Sequence, residues 1–174
     1  MTIKTIFLDR DGVINKEVNY LYEIDNFVFI DGVFDASRNY LKHGYKIIII
    51  TNQSGISRGL YSLNDYNNLT NWMLDQFMSQ GIAILDVFYC PHLPDSNCKC
   101  RKPNPGMFMT AKKKYDIDME KSWAIGDKES DIEAAQSAGI SKTILVRSGH
   151  KISESSSKAK FIIDSIKDSK SILT

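Results

Sequence analysis

Two aspartates follow the first apolar run of the chain and are the first residues whose types and spacing suggest chemistry. The run ends at Leu8, and Asp9-Arg10-Asp11-Gly12 comes next. At the end of a strand, carboxylates two residues apart lean toward the same side of a sheet, and Gly12 lets the chain turn away sharply. A turn alone needs only one such residue, so the pair favours a cation site over a simple turn cap.

Three further polar motifs lie at the ends of later apolar runs or at the approach to helices. Thr51-Asn52-Gln53-Ser54-Gly55 offers hydroxyl, amide and backbone donors that suit a phosphate. Arg101-Lys102-Pro103 supplies fixed positive charge. Gly126-Asp127 and Asp131 form a second acidic cluster, because residues four apart at a helix start share a face. Each motif alone is compatible with a solvated loop, but their order along the chain favours one common site.

The segment from residue 90 to residue 105 contains all three cysteines and all four prolines of the chain. Such a segment cannot be a helix or a central strand, so something other than a backbone ladder must order it. Cys90-x-His92 and Cys98-x-Cys100 supply four ligands, a set that fits a closed tetrahedral Zn²⁺ site without an open position for catalysis. The alternatives are three unpaired thiols or a Cys98–Cys100 disulfide, which would be strained.

The elements that must position these motifs follow from the apolar periodicity. Apolar runs typical of buried parallel strands lie at 3–8, 46–50, 82–89, 123–125, 143–146 and 161–163. Helices are predicted over 33–43, for about 17 residues after a Ser62/Asp65 capping box, over 106–115 and over 130–138. This alternation predicts an α/β fold with a doubly wound, mainly parallel, Rossmann-like sheet. We expect one domain over residues 1–174, with a zinc-binding loop insert at 90–105.

Composition excludes several classes of function. The 174 residues include 22 Lys and Arg against 21 Asp and Glu, a net charge of +1, so no positive field favours a nucleic-acid partner. No apolar run approaches the roughly 18 to 20 residues of a membrane span, and the start of the chain lacks a signal-peptide pattern. An odd number of cysteines suits a reducing compartment. We therefore expect a cytoplasmic, monomeric protein that binds neither nucleic acid nor membrane.

The four ordered motifs resemble those of the haloacid dehalogenase superfamily of phosphatases, and the resemblance covers essentially the whole chain. It implies that Asp9 is the nucleophile, that Asp11 is the general acid and base, and that Thr51 and Lys102 hold the transferred phosphoryl group. It also implies a catalytic Mg²⁺ held by Asp9, the backbone carbonyl of Asp11 and Asp127, with Asp131 supporting these ligands. The spaces between the motifs are too short for a large cap domain.

Within the superfamily, Glu23–Phe27, Phe29–Val33, Thr51–Gly59 and Cys100–Met107 resemble the heptose-bisphosphate phosphatases. This resemblance implies a small phosphorylated sugar as substrate: the C7 phosphate of D-glycero-D-manno-heptose 1,7-bisphosphate is removed, in the synthesis of ADP- or GDP-heptose, the former for lipopolysaccharide. A structural Zn²⁺ in the loop is also implied. The positions that match the substrate contacts are Glu17, Asn19, Tyr20, Asn52, Gln53, Ser54, Arg101 and Lys128. Among them, Arg101 suits the distal phosphate, which a guanidinium grips with two hydrogen bonds.

Three alternatives stay open on the sequence. Cys90-Pro91-His92-Leu93-Pro94, with its short spacer to Cys98, also resembles histidinol-phosphate phosphatase. A receiver module would share the acidic pair and a late lysine, but its third strand should end in an aspartate, where this chain has Cys90. A zinc-based nucleic-acid binder conflicts with the near-neutral charge. The remaining histidines, His43 and His150, are interpreted as a helix end and a loop residue without a role in chemistry.

Overall fold

Six parallel strands form one sheet in the computed structural model, which describes residues 1–173. Every neighbouring pair of strands in it is parallel. Along the chain the strands are β1 (Thr5–Leu8), β2 (Lys46–Asn52), β3 (Asp86–Cys90), β4 (Trp123–Gly126), β5 (Lys142–Val146) and β6 (Phe161–Ile163). Their spatial order is β3-β2-β1-β4-β5-β6.

Four α-helices cover the two faces of the sheet. They are α1 (Val33–Lys42), α2 (Leu63–Ser79), α3 (Gly106–Tyr115) and α4 (Glu129–Ser137), and 3-10 turns lie at Ile24–Asn26, Glu154–Ser156 and Ile166–Ser171. Successive residues of a strand point to opposite faces. Accordingly, Ile47 and Ile49 join the core under α1 and α2, whereas Ile48 and Ile50 join the core under α3 and α4. The predicted doubly wound parallel sheet is confirmed.

Local sequence signals account for the start of α2. The Ser62 hydroxyl accepts a hydrogen bond from the backbone N–H of Asp65 at 3.0 Å, and the Asp65 carboxylate accepts one from the backbone N–H of Ser62 at 2.8 Å. This reciprocal capping box satisfies two backbone donors that a helix start leaves open. The 17-residue helix that the spacing predicts is the one observed.

Two predicted strand boundaries are wrong. The run at 82–89 is a strand only from Asp86 to Cys90. Ile82 is apolar because it is fully buried in the core, without being part of the ladder. The predicted 46–50 strand continues through Thr51 and Asn52, whose backbones pair with β3. Both residues therefore sit on a rigid strand and not in a loop.

The topology identifies where a site should form. From β1 the sheet grows outward to β2 and β3 on one side and to β4, β5 and β6 on the other. Ligands bind at the carboxyl ends of the strands beside such a switch point, here between β1 and β4. Among the described residues, the segment between β1 and β2 contains α1 and the short turn at Ile24–Asn26, and the segment between β2 and β3 contains α2. Neither segment holds a large cap, as predicted.

None of the helices in residues 1–173 combines the length and the apolar character needed to cross a membrane. The single domain over 1–174 stays a prediction, and its last residue, Thr174, lies outside the described residues.

Candidate active site

Asp9 leaves the end of β1 beside the switch point, and its carboxylate meets Lys102. The backbone N–H of Asp9 still bonds to the carbonyl of Ile125 on β4 at 3.0 Å, which fixes where the side chain starts. Lys102 Nζ lies 2.9 Å from Asp9 Oδ1, 2.6 Å from Asp131 Oδ1 and 2.8 Å from the Ile50 carbonyl. All three ammonium protons of a nearly fully buried lysine are thus engaged.

This cluster contains more negative than positive charge. Burial raises the pKa of Asp9 well above 3.8; Lys102 opposes this change, while Asp131, Asp127 and Asp11 reinforce it. Burial and the charge of Asp131 raise the pKa of Asp127 to about 6. Burial alone would lower the pKa of Lys102, but Asp131 and Asp9 outweigh it and raise that pKa. The carboxylates therefore favour a further cation.

Asp11 is held by donors on several sides. Arg10, which is 2% exposed, donates from Nη2 to Asp11 Oδ1 at 3.0 Å, and Asn15 Nδ2 donates to the same oxygen at 3.0 Å. Gln53 Nε2 donates to Asp11 Oδ2 at 3.1 Å. Gly12 makes the turn that follows with a φ of +89°. The Asp11 carboxylate therefore has a defined orientation at the edge of the cleft.

Asp127 presents one oxygen without a protein partner. Its Oδ2 accepts hydrogen bonds from the His150 backbone N–H and ring Nδ1, whereas its buried Oδ1 accepts none. Gly12 and Gly149 press against this carboxylate so closely that a Cβ atom at either position would overlap it. One oxygen each from Asp9, Asp127 and Asp131 lie within 4.8 Å of one another. A buried, unpartnered oxygen in such a group fits a divalent cation such as Mg²⁺.

Asp131 has a different set of contacts. Its Oδ2 accepts the backbone N–H groups of Asp127 and Lys128 at the start of α4, at 3.1 and 3.0 Å. Its Oδ1 is paired with Lys102. With both oxygens engaged, Asp131 is suited to support the other ligands, the role that the superfamily resemblance implies for it.

A cleft of about 330 Å³ opens above these residues. The predicted substrate-binding residues all line it: Glu17, Asn19, Tyr20, Asn52, Gln53, Ser54, Arg101 and Lys128. Two of them also have structural partners. The Asn52 side chain bonds both the N–H and the carbonyl of Lys102 at 3.2 Å, and Gln53 bonds Asp11. Thr51 is not among the residues that line the cleft: it is 1% exposed, and its hydroxyl accepts a hydrogen bond from Gln53.

The predicted zinc ligands come together at the end of β3, where Cys90 is the last strand residue, and in the loop that follows, which carries His92, Cys98 and Cys100. Their donor atoms all lie within 4.8 Å of one another. Cys100 Sγ is 3.1 Å from Cys90 Sγ and 3.1 Å from His92 Nδ1, and Cys98 Sγ is 3.7 Å from Cys90 Sγ. The sulfur corners of a tetrahedron with Zn–S bonds of about 2.3 Å are about 3.7 Å apart, so the set is the right size for Zn²⁺. The three cysteines are free thiols, which excludes the Cys98–Cys100 disulfide.

Three residues in or beside the site were missed at the sequence level. His150 contacts Asp127, Arg10 orients Asp11, and Arg58 lines the cleft with its guanidinium 5.8 Å from the Tyr20 ring centroid. The interpretation of His150 as a loop residue without a role in chemistry overlooked that the 147–150 loop follows β5 at the same edge of the sheet. That position was the available signal; its contacts depend on tertiary packing.

The fold, the switch-point location and the ordered motifs define a phosphatase of the haloacid dehalogenase superfamily, and residues 99–169 match a family model described as HAD-hydrolase-like. The chain is 49% identical over 164 residues to D-glycero-alpha-D-manno-heptose-1,7-bisphosphate 7-phosphatase of Photorhabdus laumondii, covering 90% of each chain. It is 42% identical over 174 residues to D-glycero-beta-D-manno-heptose-1,7-bisphosphate 7-phosphatase of the same organism, covering 95% of this chain and 93% of that one. The chain belongs to the family of heptose-1,7-bisphosphate 7-phosphatases.

A solved structure supports the same assignment. D,D-heptose 1,7-bisphosphate phosphatase from B. bronchiseptica, complexed with magnesium and phosphate, has a TM-score of 0.87 and 29% identity, with 98% of each chain covered. The histidinol-phosphate alternative is not favoured by these similarities. The chain is a phosphoric monoester hydrolase.

Proposed function

We propose that the protein removes the C7 phosphate of D-glycero-D-manno-heptose 1,7-bisphosphate in a Mg²⁺-dependent reaction through a phosphorylated Asp9. The observation that supports this chemistry is the arrangement at the carboxyl end of β1. Lys102 pairs with Asp9 there, and both residues line the cleft together with Asp11. The names of the relatives supply the sugar. The proposal places the enzyme in the synthesis of a nucleotide-activated heptose.

The first half-reaction transfers the phosphoryl group to Asp9. An Asp9 oxygen attacks phosphorus, the bond from phosphorus to the sugar O7 breaks, and Asp11 donates a proton to the departing oxygen. Lys102 favours the ionised form of Asp9, against the effect of burial, and lies next to the developing negative charge. Thr51 and its neighbouring backbone amides would hold the transferred oxygens.

The second half-reaction frees Asp9. Asp11, now a carboxylate, takes a proton from a water molecule as that water attacks phosphorus, and the acyl phosphate bond breaks to give inorganic phosphate and the Asp9 carboxylate. The hydrogen bonds of Arg10, Asn15 and Gln53 orient the Asp11 carboxylate for this step.

A Mg²⁺ ion would be held by Asp9, the Asp11 backbone carbonyl and Asp127, with Asp131 supporting them. When bound, it would neutralise the repulsion between the attacking carboxylate and the phosphate oxygens. The unpartnered Oδ1 of Asp127 is the observation that supports this ligand set.

The distal phosphate, on C1, would be bound by the cations of the cleft wall. Arg101 and Lys128 both line the cleft, and Arg101 is tied to the zinc loop by a bond from Nη1 to the His92 carbonyl at 3.4 Å. A Zn²⁺ ion on Cys90, His92, Cys98 and Cys100 would keep this wall in place. Glu17, Asn19 and Tyr20 would contact the sugar.

We further propose that the preferred anomer is α. Two relatives from the same organism differ in their named anomer, and this chain is 49% identical to the alpha-named protein and 42% identical to the beta-named one.

Phosphate release from the α and β anomers of the bisphosphate and from histidinol phosphate, measured side by side, tests the substrate. We expect the largest kcat/KM on the α anomer and the smallest on histidinol phosphate. A larger kcat/KM on the β anomer would reject the anomer alone. Comparable turnover of histidinol phosphate would reject the heptose assignment.

A further inference from the structure

His150 lies between the proposed cation site and Glu17, one of the residues proposed to contact the sugar. Its ring Nδ1 lies 2.6 Å from Asp127 Oδ2, and its backbone N–H donates to the same oxygen at 2.9 Å. On the other side of the ring, Nε2 lies 3.7 Å from Glu17 Oε1. The ring is 36% exposed and lines the cleft, whereas the Asp127 side chain is 1% exposed.

These two contacts determine how Asp127 is oriented. A carboxylate oxygen that already receives a backbone N–H acts as an acceptor, so the ring contact is a donation from Nδ1–H. Two donors on Oδ2, together with the close approach of Gly12 and Gly149, leave little rotational freedom to the carboxylate. The oxygen that stays without a partner is Oδ1, the one available to a cation.

The loop that carries His150 is itself anchored to the turn after β1. The Ser148 hydroxyl donates to the Gly12 carbonyl at 2.8 Å, which links the loop after β5 to the turn beside Asp11. The backbone N–H of residue 150 therefore stays near Asp127 whichever side chain is present. The contribution of the ring is separable from that of the loop.

We propose that His150 is a positioning residue for the divalent cation: its Nδ1–H fixes Asp127 so that Oδ1 faces the metal. The inference rests on the proposed Mg²⁺ site. It adds the loop after β5, residues 147–150, to the four motifs that form the site. Hydrogen bonds that orient a metal ligand typically contribute 10- to 100-fold to metal affinity.

Three substitutions distinguish the contribution of His150 Nδ1 from that of Nε2. His150→Asn retains an amide donor near the position of Nδ1, His150→Gln carries its amide near the position of Nε2, and His150→Ala has neither. His43→Ala is the matched control, because His43 is an exposed histidine at the end of α1 whose ring, among the described residues, hydrogen-bonds the Asn39 carbonyl alone. The measurement is the Kd of Mg²⁺ by calorimetry on zinc-loaded protein without substrate, with thermal unfolding recorded for each variant.

We expect His150→Ala and His150→Gln to raise the Kd of Mg²⁺ by about 10-fold or more. His150→Asn should recover most of the affinity, and His43→Ala should match wild type. An unchanged Kd of Mg²⁺ in folded His150→Ala would overturn the inference. Equal Kd values for the Asn and Gln variants would also overturn it. If the Ala variant fails to fold, this comparison of Asn with Gln decides. Wild-type protein that binds no Mg²⁺ would overturn the cation site itself and this inference with it, whatever the sugar substrate proves to be.

Discussion

The side-chain amide of Gln53 donates to Oδ2 of Asp11 over 3.1 Å, and it does so in only one orientation. The Gln53 amide oxygen accepts the Tyr61 hydroxyl at 2.5 Å and Arg10 Nη2 at 3.5 Å. Arg10 can only donate and the Asp11 carboxylate accepts, so these two groups fix the orientation of the amide. Tyr61 is in turn packed against Gly55, where a Cβ atom would overlap its ring. Tyr61 therefore supports the orientation in which the Gln53 amide N–H faces Asp11.

Breaking this chain of hydrogen bonds should impair proton transfer. Gln53→Leu should lower kcat by about 10- to 100-fold, since a misplaced acid and base loses catalytic efficiency steeply. Tyr61→Phe should have a smaller effect in the same direction, with a changed pH profile of kcat. Tyr22→Phe is the control, because its ring stacks on Tyr61 but the Asp11 network does not include it. An unchanged kcat and pH profile in Gln53→Leu would show that the amide does not act on Asp11.

Arg101→Ala should discriminate between substrates. Loss of a charge-assisted hydrogen bond of about 1.5 to 3 kcal/mol should raise KM by about 10-fold or more for the bisphosphate. KM for heptose 7-phosphate, which lacks the distal phosphate, should change little. Arg38→Ala is the control, because Arg38 pairs with Asp35 outside the cleft. An equal loss on both substrates would assign Arg101 to the transferred phosphoryl group instead.

Cys98→Ser should remove the zinc without dismantling the sheet. The four ligands lie within residues 90–100, at the end of β3 and in the loop after it, whereas the strands are stabilised by burial elsewhere. Because Cys100 is next to Arg101 and Lys102, a loosened loop should lower kcat/KM on the order of 100-fold. Elemental analysis and kinetics measured on the same preparation test the coupling. Wild-type protein that is fully active without zinc would refute the structural metal.

Ser62→Ala tests the capping box independently of activity. Loss of the N-cap should lower the free energy of unfolding by about 1 kcal/mol, with kcat unchanged. Ser79→Ala, at the other end of α2, removes a hydroxyl that only bonds the Gln76 carbonyl and should change stability less. Denaturant unfolding of the two variants checks this difference, which would vanish if the Ser62 cap added nothing to stability.

The predictable parts of the structure are those with local signals. The capping box of α2 and the continuous run of isoleucines in β2 identify their elements without tertiary information. The strand over 82–89 was wrong at its start because apolar character reports burial and not pairing. Ile82 is buried by packing alone.

The residues of the site also divide into those that the sequence predicts and those that only tertiary packing brings together. Asp9 and Asp127 stand directly after strands, so parallel topology alone predicts that they meet. His150 contacts Asp127 only because the loop after β5 folds back over Gly12, a long-range contact with no local sequence signal. Gln53 carries donors that suit a substrate, and only the packed structure reveals its bonds to Asp11 and Tyr61.

The central claim is that Asp9 removes the C7 phosphate of the heptose bisphosphate. The most direct measurement follows wild type and Asp9→Asn with heptose 1,7-bisphosphate and Mg²⁺, using phosphorus NMR to identify which phosphate is lost. The account predicts that wild type yields the 1-phosphate and that Asp9→Asn, which cannot form an acyl phosphate, is slower by on the order of 10⁴-fold or more. A wild-type product that retains the C7 phosphate, or near-normal turnover by a folded Asp9→Asn protein, would contradict it.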